Sequence, residues 1–161
     1  MEDVKPSEES LRVTLRRFSM DLLARREHSR AELAEKLMRK HGEYKHLFDQ
    51  VLDQLESDNL LSDERFAEAY VRYRQNKGFG PLMLQQELRI KGVSDQLIAS
   101  YVQAASSHWQ DILDQVIVKK RRLSNPAHDK EAERKQQQKL YRFCLSRGFP
   151  ADMVSKALFR S

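Results

Sequence analysis

Five histidines (His28, His41, His46, His108 and His128) and one cysteine, Cys144, are the side chains best suited to metal or covalent chemistry. No His-x-x-x-His pair occurs and no second cysteine is present, so the spacing of a zinc site is missing. Cys144 has no nucleophile motif around it and falls at an apolar helix position, where a thiol acts as a small hydrophobe. A lone cysteine cannot close an internal disulfide, which fits a reducing cytoplasm. The acidic residues are spread over solvent-facing positions, with no pair set in apolar surroundings that would tune an acid and a base apart. No serine stands in a nucleophile elbow. The expectation is therefore a binding protein and not an enzyme, with no cofactor and no metal.

The cations are a better lead. Residues 1–61 carry 11 basic and 13 acidic side chains, 62–106 carry 6 and 5, and 107–161 carry 12 and 6. The excess of positive charge lies in the last third, and it predicts a polyanionic partner surface. The densest run is Lys119-Lys120-Arg121-Arg122. On a helical wheel Lys120 aligns with Trp109, Leu113 and Val116, so its stem is expected to cover apolar surface. Lys119, Arg121 and Arg122 point away and are candidate contacts. Lys135, Lys139 and Arg142 follow at spacings of four and three, opposite Leu140, Phe143 and Cys144, as an exposed ridge. Earlier in the chain, Arg25, Arg26, Arg65, Arg72, Arg74 and Lys77 complete the candidate set for a partner or DNA. Cations at a helix end are also favoured by the helix dipole alone, and plain solvation explains many charge runs.

Lys77-Gly78-Phe79-Gly80-Pro81 admits two readings. Glycines at a helix start could cradle a phosphate. Alternatively, Gly78 closes one helix and Pro81 opens the next, with Gly80 extended before it. Proline has no N–H and no nucleotide fingerprint surrounds the segment, so the structural turn is preferred.

The elements that must position these groups repeat three times. Gly42, Gly92 and Gly148 stand 50 and then 56 residues apart. Leu37, Leu88 and Cys144 precede them, and Leu47-Phe48, Leu97-Ile98 and Met153-Val154 follow at one helical period. Each copy reads as helix, glycine turn, helix, with the glycine expected in a left-handed conformation. A further helix precedes each pair, marked by Leu11-Leu15-Phe18-Leu22, by Phe66-Tyr70-Tyr73, and by Trp109-Ile112-Leu113-Val116-Ile117. The aromatics of the second stripe are expected in the core. Ser29 with Glu32 makes a capping box, Asn59 closes the first copy, and Ser62 or Asp63 opens the second. The expectation is an all-α chain of three tandem three-helix repeats, 10–60, 62–106 and 108–161, behind a disordered tail at 1–9. Such repeats predict an elongated, right- or left-curved array that remains a monomer. No secretory signal is expected from the acidic N-terminus, and no apolar run approaches the ~20 residues of a membrane span.

The stretch Asn59 to Val93 resembles the RecX family, bacterial regulators of the RecA recombinase. Asp63, Arg65-Phe66-Ala67, Lys77-Gly78-Phe79-Gly80-Pro81, Glu87-Leu88 and Lys91-Gly92-Val93 carry the resemblance. It extends through Phe143 and Arg147-Gly148-Phe149, and through Glu27-His28-Ser29 with Glu32-Leu33 and Leu37. Asn59-Leu60-Leu61-Ser62-Asp63 replaces the family's usual Gly-Tyr-Leu-Asp-Asp, and Asn and Ser keep the local cap physics. The resemblance implies a cytoplasmic protein that docks in the groove of the RecA–DNA filament. There it would inhibit recombinase, ATPase and coprotease activities, and so modulate recombination, DNA repair and the SOS response.

Two other classes compete. A non-specific DNA-binding helical-repeat protein fits the basic third. A sequence-specific reader does not: the second helix of each glycine pair is mostly acidic or neutral, and phosphate repulsion opposes its entry into a groove. DNA contact is thus expected to be weak and sequence-independent. A generic helical scaffold is disfavoured by the long motif around Phe66 and Gly80.

Overall fold

The computed structural model describes residues 3–104 and 106–159. Among the described residues there are nine α-helices and no strand: α1 (Glu8–Leu23), α2 (Arg30–His41), α3 (Phe48–Ser57), α4 (Asp63–Asn76), α5 (Pro81–Ile90), α6 (Asp95–Tyr101), α7 (Ser107–Arg122), α8 (Lys130–Ser146) and α9 (Ala151–Phe159). A 3-10 turn, Gly42–Leu47, joins α2 to α3. The chain is all-α. Glu8 and Glu9, expected in the tail, form the first turn of α1 and sit where the helix dipole favours acids. Ser7 caps that turn by accepting from the Ser10 amide at 3.1 Å.

The helices group into two compact units. The first holds Met1–Ala69 together with Ile90–Ser94. Its core is Leu15, Leu33, Leu37, Leu47, Phe48, Val51, Leu52, Leu55 and Leu61, every one nearly inaccessible to solvent. The second holds Tyr70–Arg89 and Asp95–Ser161. There α8 packs on both α7 and α9, and Trp109, Leu113, Cys144, Phe149 and Val154 are buried.

One packing device occurs in both units. In the first, the Gly92 turn lies on the start of α2: Ser29 donates its hydroxyl to the Lys91 carbonyl at 2.7 Å. A side chain on Gly92 would strike Ala31 Cβ at 2.4 Å. In the second, the Gly148 turn lies on the start of α5. The Gly80 amide donates to the Arg147 carbonyl at 2.7 Å and the Leu82 amide to the Gly148 carbonyl at 2.9 Å. A Cβ on Gly80 would lie 2.6 Å from the Gly148 backbone. Each of these turns therefore needs φ > 0 at its own glycine, +79° and +96°, and close approach at the helix it meets.

Gly42 departs from the expected pattern. Its φ and ψ are −57° and −27°, right-handed and helical: the chain turns at His41 (φ −136°, ψ 36°), and Gly42 is already the first residue of the 3-10 turn. The buried arc of α4 also differs from the expected stripe. Phe66, Ala67 and Val71 are buried, whereas Tyr73 is 55% exposed. At 100° per residue Tyr73 lies about 90° from the middle of that arc, which falls near Tyr70 and Arg74. Asn59 has φ +60° and Ser29–Glu32 forms both bonds of the capping box. Ser62 accepts from the Arg65 amide at 3.1 Å, while Asp63 turns to accept from the Arg30 amide at 2.7 Å.

Candidate functional site

Among the candidate cations, Arg26, Arg65, Arg74 and Lys135 hold ion pairs within the fold. Arg65 is held by Glu27 at 3.0 Å, by the Asn59 side chain at 2.9 Å and by the Asn59 carbonyl at 2.8 Å. Arg26 grips both oxygens of Glu32, at 3.2 and 3.0 Å. Lys91 approaches the same carboxylate at 3.5 Å. Burial pushes the Glu32 carboxyl upward, but bonds from Arg26 and the Ser29 amide, with the Lys91 charge, outweigh it and lower its pKa to about 2. Next to this pair His28 is buried, its Nδ1 on the Arg26 carbonyl at 3.1 Å and its Nε2 facing Lys36 Nζ at 3.3 Å. Burial lowers its pKa, and the ring is a neutral donor to the carbonyl and acceptor from the ammonium.

Arg74 is likewise committed, with Glu87 at 2.6 and 3.0 Å; the Tyr70 hydroxyl donates to the same carboxylate. Lys135 pairs with Glu131 at 3.7 Å along α8. Arg121 reaches Gln137 Oε1 at 3.4 Å. Arg25, Arg72, Lys77, Lys119, Arg122, Lys139 and Arg142 are exposed.

Within the second unit, Lys77 and Lys119 join Arg74, Lys120 and Arg147 around a groove of about 680 Å³. One wall is the turn 74–79, the other the last two turns of α7, and the end of α8 closes it with Phe143 and Arg147. The Arg74 guanidinium carbon stands 3.6 Å from the Phe79 ring centre, and that of Arg147 stands 4.3 Å from the same ring. Arg147 is also 5.0 Å from Phe143, over which Lys120 Nζ sits at 4.3 Å. Lys77 Nζ lies 4.7 Å from the Tyr73 ring, which draws the tyrosine pKa down. Lys119 stands on the rim, and no carboxylate lines the groove. Rings fix these cations through the face of the charge, so their N–H edges stay available.

A second hollow of about 750 Å³ lies beside it, between the end of α7, residues 124–126 and the first half of α8. Lys120, Arg121, Lys130, Arg134 and Lys139 line it against one acid, Glu133. The phosphate reading of the 77–81 turn fails on its amides. Those of Lys77, Gly78, Phe79, Gly80 and Leu82 all donate to main-chain carbonyls, and Pro81 has none.

Phe79, Phe143 and Arg147 were legible as motif residues but not as a site. Phe143 and Arg147 stand one helical turn apart, the one local signal that they meet. Phe79 joins them only through the Gly80–Gly148 approach, which brings together residues 68 apart.

Fold and site together define an all-helical protein of three-helix units bearing a basic–aromatic groove. Residues 62–101 match the family model for the second three-helix domain of RecX, and residues 110–158 match that for the third. A regulatory protein RecX of Pseudomonas putida (strain W619) is 37% identical over 146 residues, 91% of this chain and 90% of its own. This chain belongs to the RecX family of regulatory proteins. A crystal structure of a regulatory protein RecX superposes with a TM-score of 0.74 at 20% identity, covering 100% of this chain and 83% of its own. The RecX structure from Lactobacillus salivarius gives 0.70 at 21% identity, covering 90% and 92%. At those identities the two structures speak for the fold alone.

Proposed function

We propose that this protein binds the RecA–DNA filament in its groove and inhibits recombinase, ATPase and coprotease activities. Through these it modulates recombination, DNA repair and the SOS response. Membership of a regulatory family over nine-tenths of the chain is the observation that carries this reading. The physical support is a set of exposed cations: Arg25, Lys77, Lys119, Arg122, Lys139 and Arg142. A polyanionic filament would meet these first, whereas Arg26, Arg65, Arg74 and Lys135 serve mainly internal pairs. The three repeats, 10–60, 62–106 and 108–161, act as modules that touch successive filament subunits, each raising the effective concentration of the next. The protein works in the cytoplasm as a monomer and does no chemistry of its own. No described helix is long and apolar enough to cross a membrane.

The test is recombinase ATPase on single-stranded DNA with this protein titrated in. Turnover should fall with added protein, while the protein alone hydrolyses neither ATP nor DNA. Unchanged turnover at saturating protein would sink the proposal. The competing reading, a non-specific DNA-binding protein, is favoured by the hollow with five cations and one acid. It requires weak, steeply salt-dependent DNA binding that accounts for all inhibition.

A further inference from the structure

Like charges gathered without counter-charge repel one another, so a fold that keeps such a cluster implies an anion that joins it. In the groove of the second unit, Lys77, Lys119, Lys120 and Arg147 have no carboxylate partner among the described residues, and Arg74 alone is neutralised, by Glu87. Aromatic rings hold three of those four cations in place. The groove is not merely cationic. Ile112, Val116 and Leu123 give it an apolar floor, and Leu123 is 76% exposed. Its volume of about 680 Å³ suits a compact ligand. Inorganic phosphate would leave that floor wet, and an apolar ligand would leave four charges unmatched.

We propose that this groove is a nucleotide site. A base lies on the apolar floor beside Phe79, and its phosphates take the N–H edges of Lys119, Lys120 and Arg147. Gln115 and Asn76, also on the wall, offer hydrogen-bonding partners for the base or the sugar. The nucleotide is a free one, since a groove of about 680 Å³ holds a single base with its phosphates. The site is read from this chain's own groove and does not depend on the recombinase as partner, so the two proposals fail separately.

The experiment uses the full chain and no recombinase. Binding of a fluorescently labelled ATP is followed by anisotropy at low salt, with unlabelled competitors. ATP should displace the label at least tenfold better than either adenosine or inorganic tripolyphosphate. Lys119→Ala and Arg147→Ala should each weaken binding about tenfold, the effect of one lost charge-assisted contact. Lys40→Ala, which removes an equal charge at the exposed end of α2, should leave it unchanged. Helix content by circular dichroism guards against misfolding, and Lys119 is exposed enough to be changed safely. A short oligothymidylate should fail to displace the label; one that competes as well as ATP would make the groove a part of the DNA contact and overturn the free-nucleotide site. The proposal is overturned if labelled ATP does not bind, or if tripolyphosphate or a polyglutamate peptide competes as well as ATP. It is equally overturned if Lys40→Ala costs as much as Lys119→Ala.

Discussion

Replacing Gly80 with alanine should cost far more than the same change at Gly42. At Gly80 the new Cβ would lie 2.6 Å from the Gly148 carbonyl carbon and oxygen and 2.7 Å from the Phe149 nitrogen. Non-bonded carbons prefer about 3.5–4.0 Å, so the Gly148 turn must withdraw by about 1 Å. That movement stretches the Gly80–Arg147 and Leu82–Gly148 hydrogen bonds, now 2.7 and 2.9 Å. Each contributes about 1 kcal/mol, and overpacking a tight contact costs about 1–3 kcal/mol, so the total is about 3–5 kcal/mol. At Gly42 the nearest atom is Met38 Sδ at 3.3 Å, the end of a flexible side chain, and the backbone is already helical. There alanine should be neutral or stabilise by about 0.5–1 kcal/mol. Urea unfolding followed by circular dichroism measures both. With a slope of about 2 kcal/mol per M, Gly80→Ala should lower the midpoint by about 2 M. A Gly80→Ala variant within about 1 kcal/mol of the parent would refute the turn-docking argument. So would an equal loss at Gly42.

Other consequences can be checked independently. Glu32 has its folded pKa lowered from 4.5 to about 2, so it binds a proton less readily folded than unfolded. Its contribution, up to about 3 kcal/mol, is present above pH 4.5 and lost as the pH falls toward 2. Urea midpoints from pH 5 to 2 should show this, and Glu32→Gln should flatten the profile. Burial raises the Cys144 thiol pKa, so a thiol-reactive dye should label the native protein slowly and the unfolded protein at once. Neutralising Lys119, Arg121 and Arg122 should reduce the salt slope of DNA binding by up to about 0.9 per lost phosphate contact. A slope unchanged within error would place the DNA contacts elsewhere.

The sequence disclosed the helices wherever local chemistry decided them. Ser29–Glu32 capping, the Asn59 stop and the Trp109 to Ile117 stripe depend only on near neighbours, and all three stand in the structure. Gly42 misled because a glycine after a helix fits both a left-handed stop and a 3-10 continuation; packing of Leu47 and Phe48 into the core selects the second. Tyr73 misled because aromatic spacing alone does not reveal that small Ala67 marks the inward face of α4. Charge was legible, its commitments were not. Arg65 and Arg74 resemble the exposed Arg122 as letters, yet Glu27 and Glu87 claim the first two from 38 and 13 residues away. The groove eluded local reading for the same reason: Phe79 meets Arg147 only through a contact between two glycines distant in sequence.

The most direct measurement of the regulatory account is sedimentation with preformed RecA–DNA filaments while bare DNA is present in large excess. ATPase is followed in the same samples. If recognition of the recombinase surface dominates, the protein stays with the filaments and turnover remains inhibited. If the protein moves to the bare DNA and turnover recovers, competition for DNA explains everything and the filament-groove mechanism is contradicted.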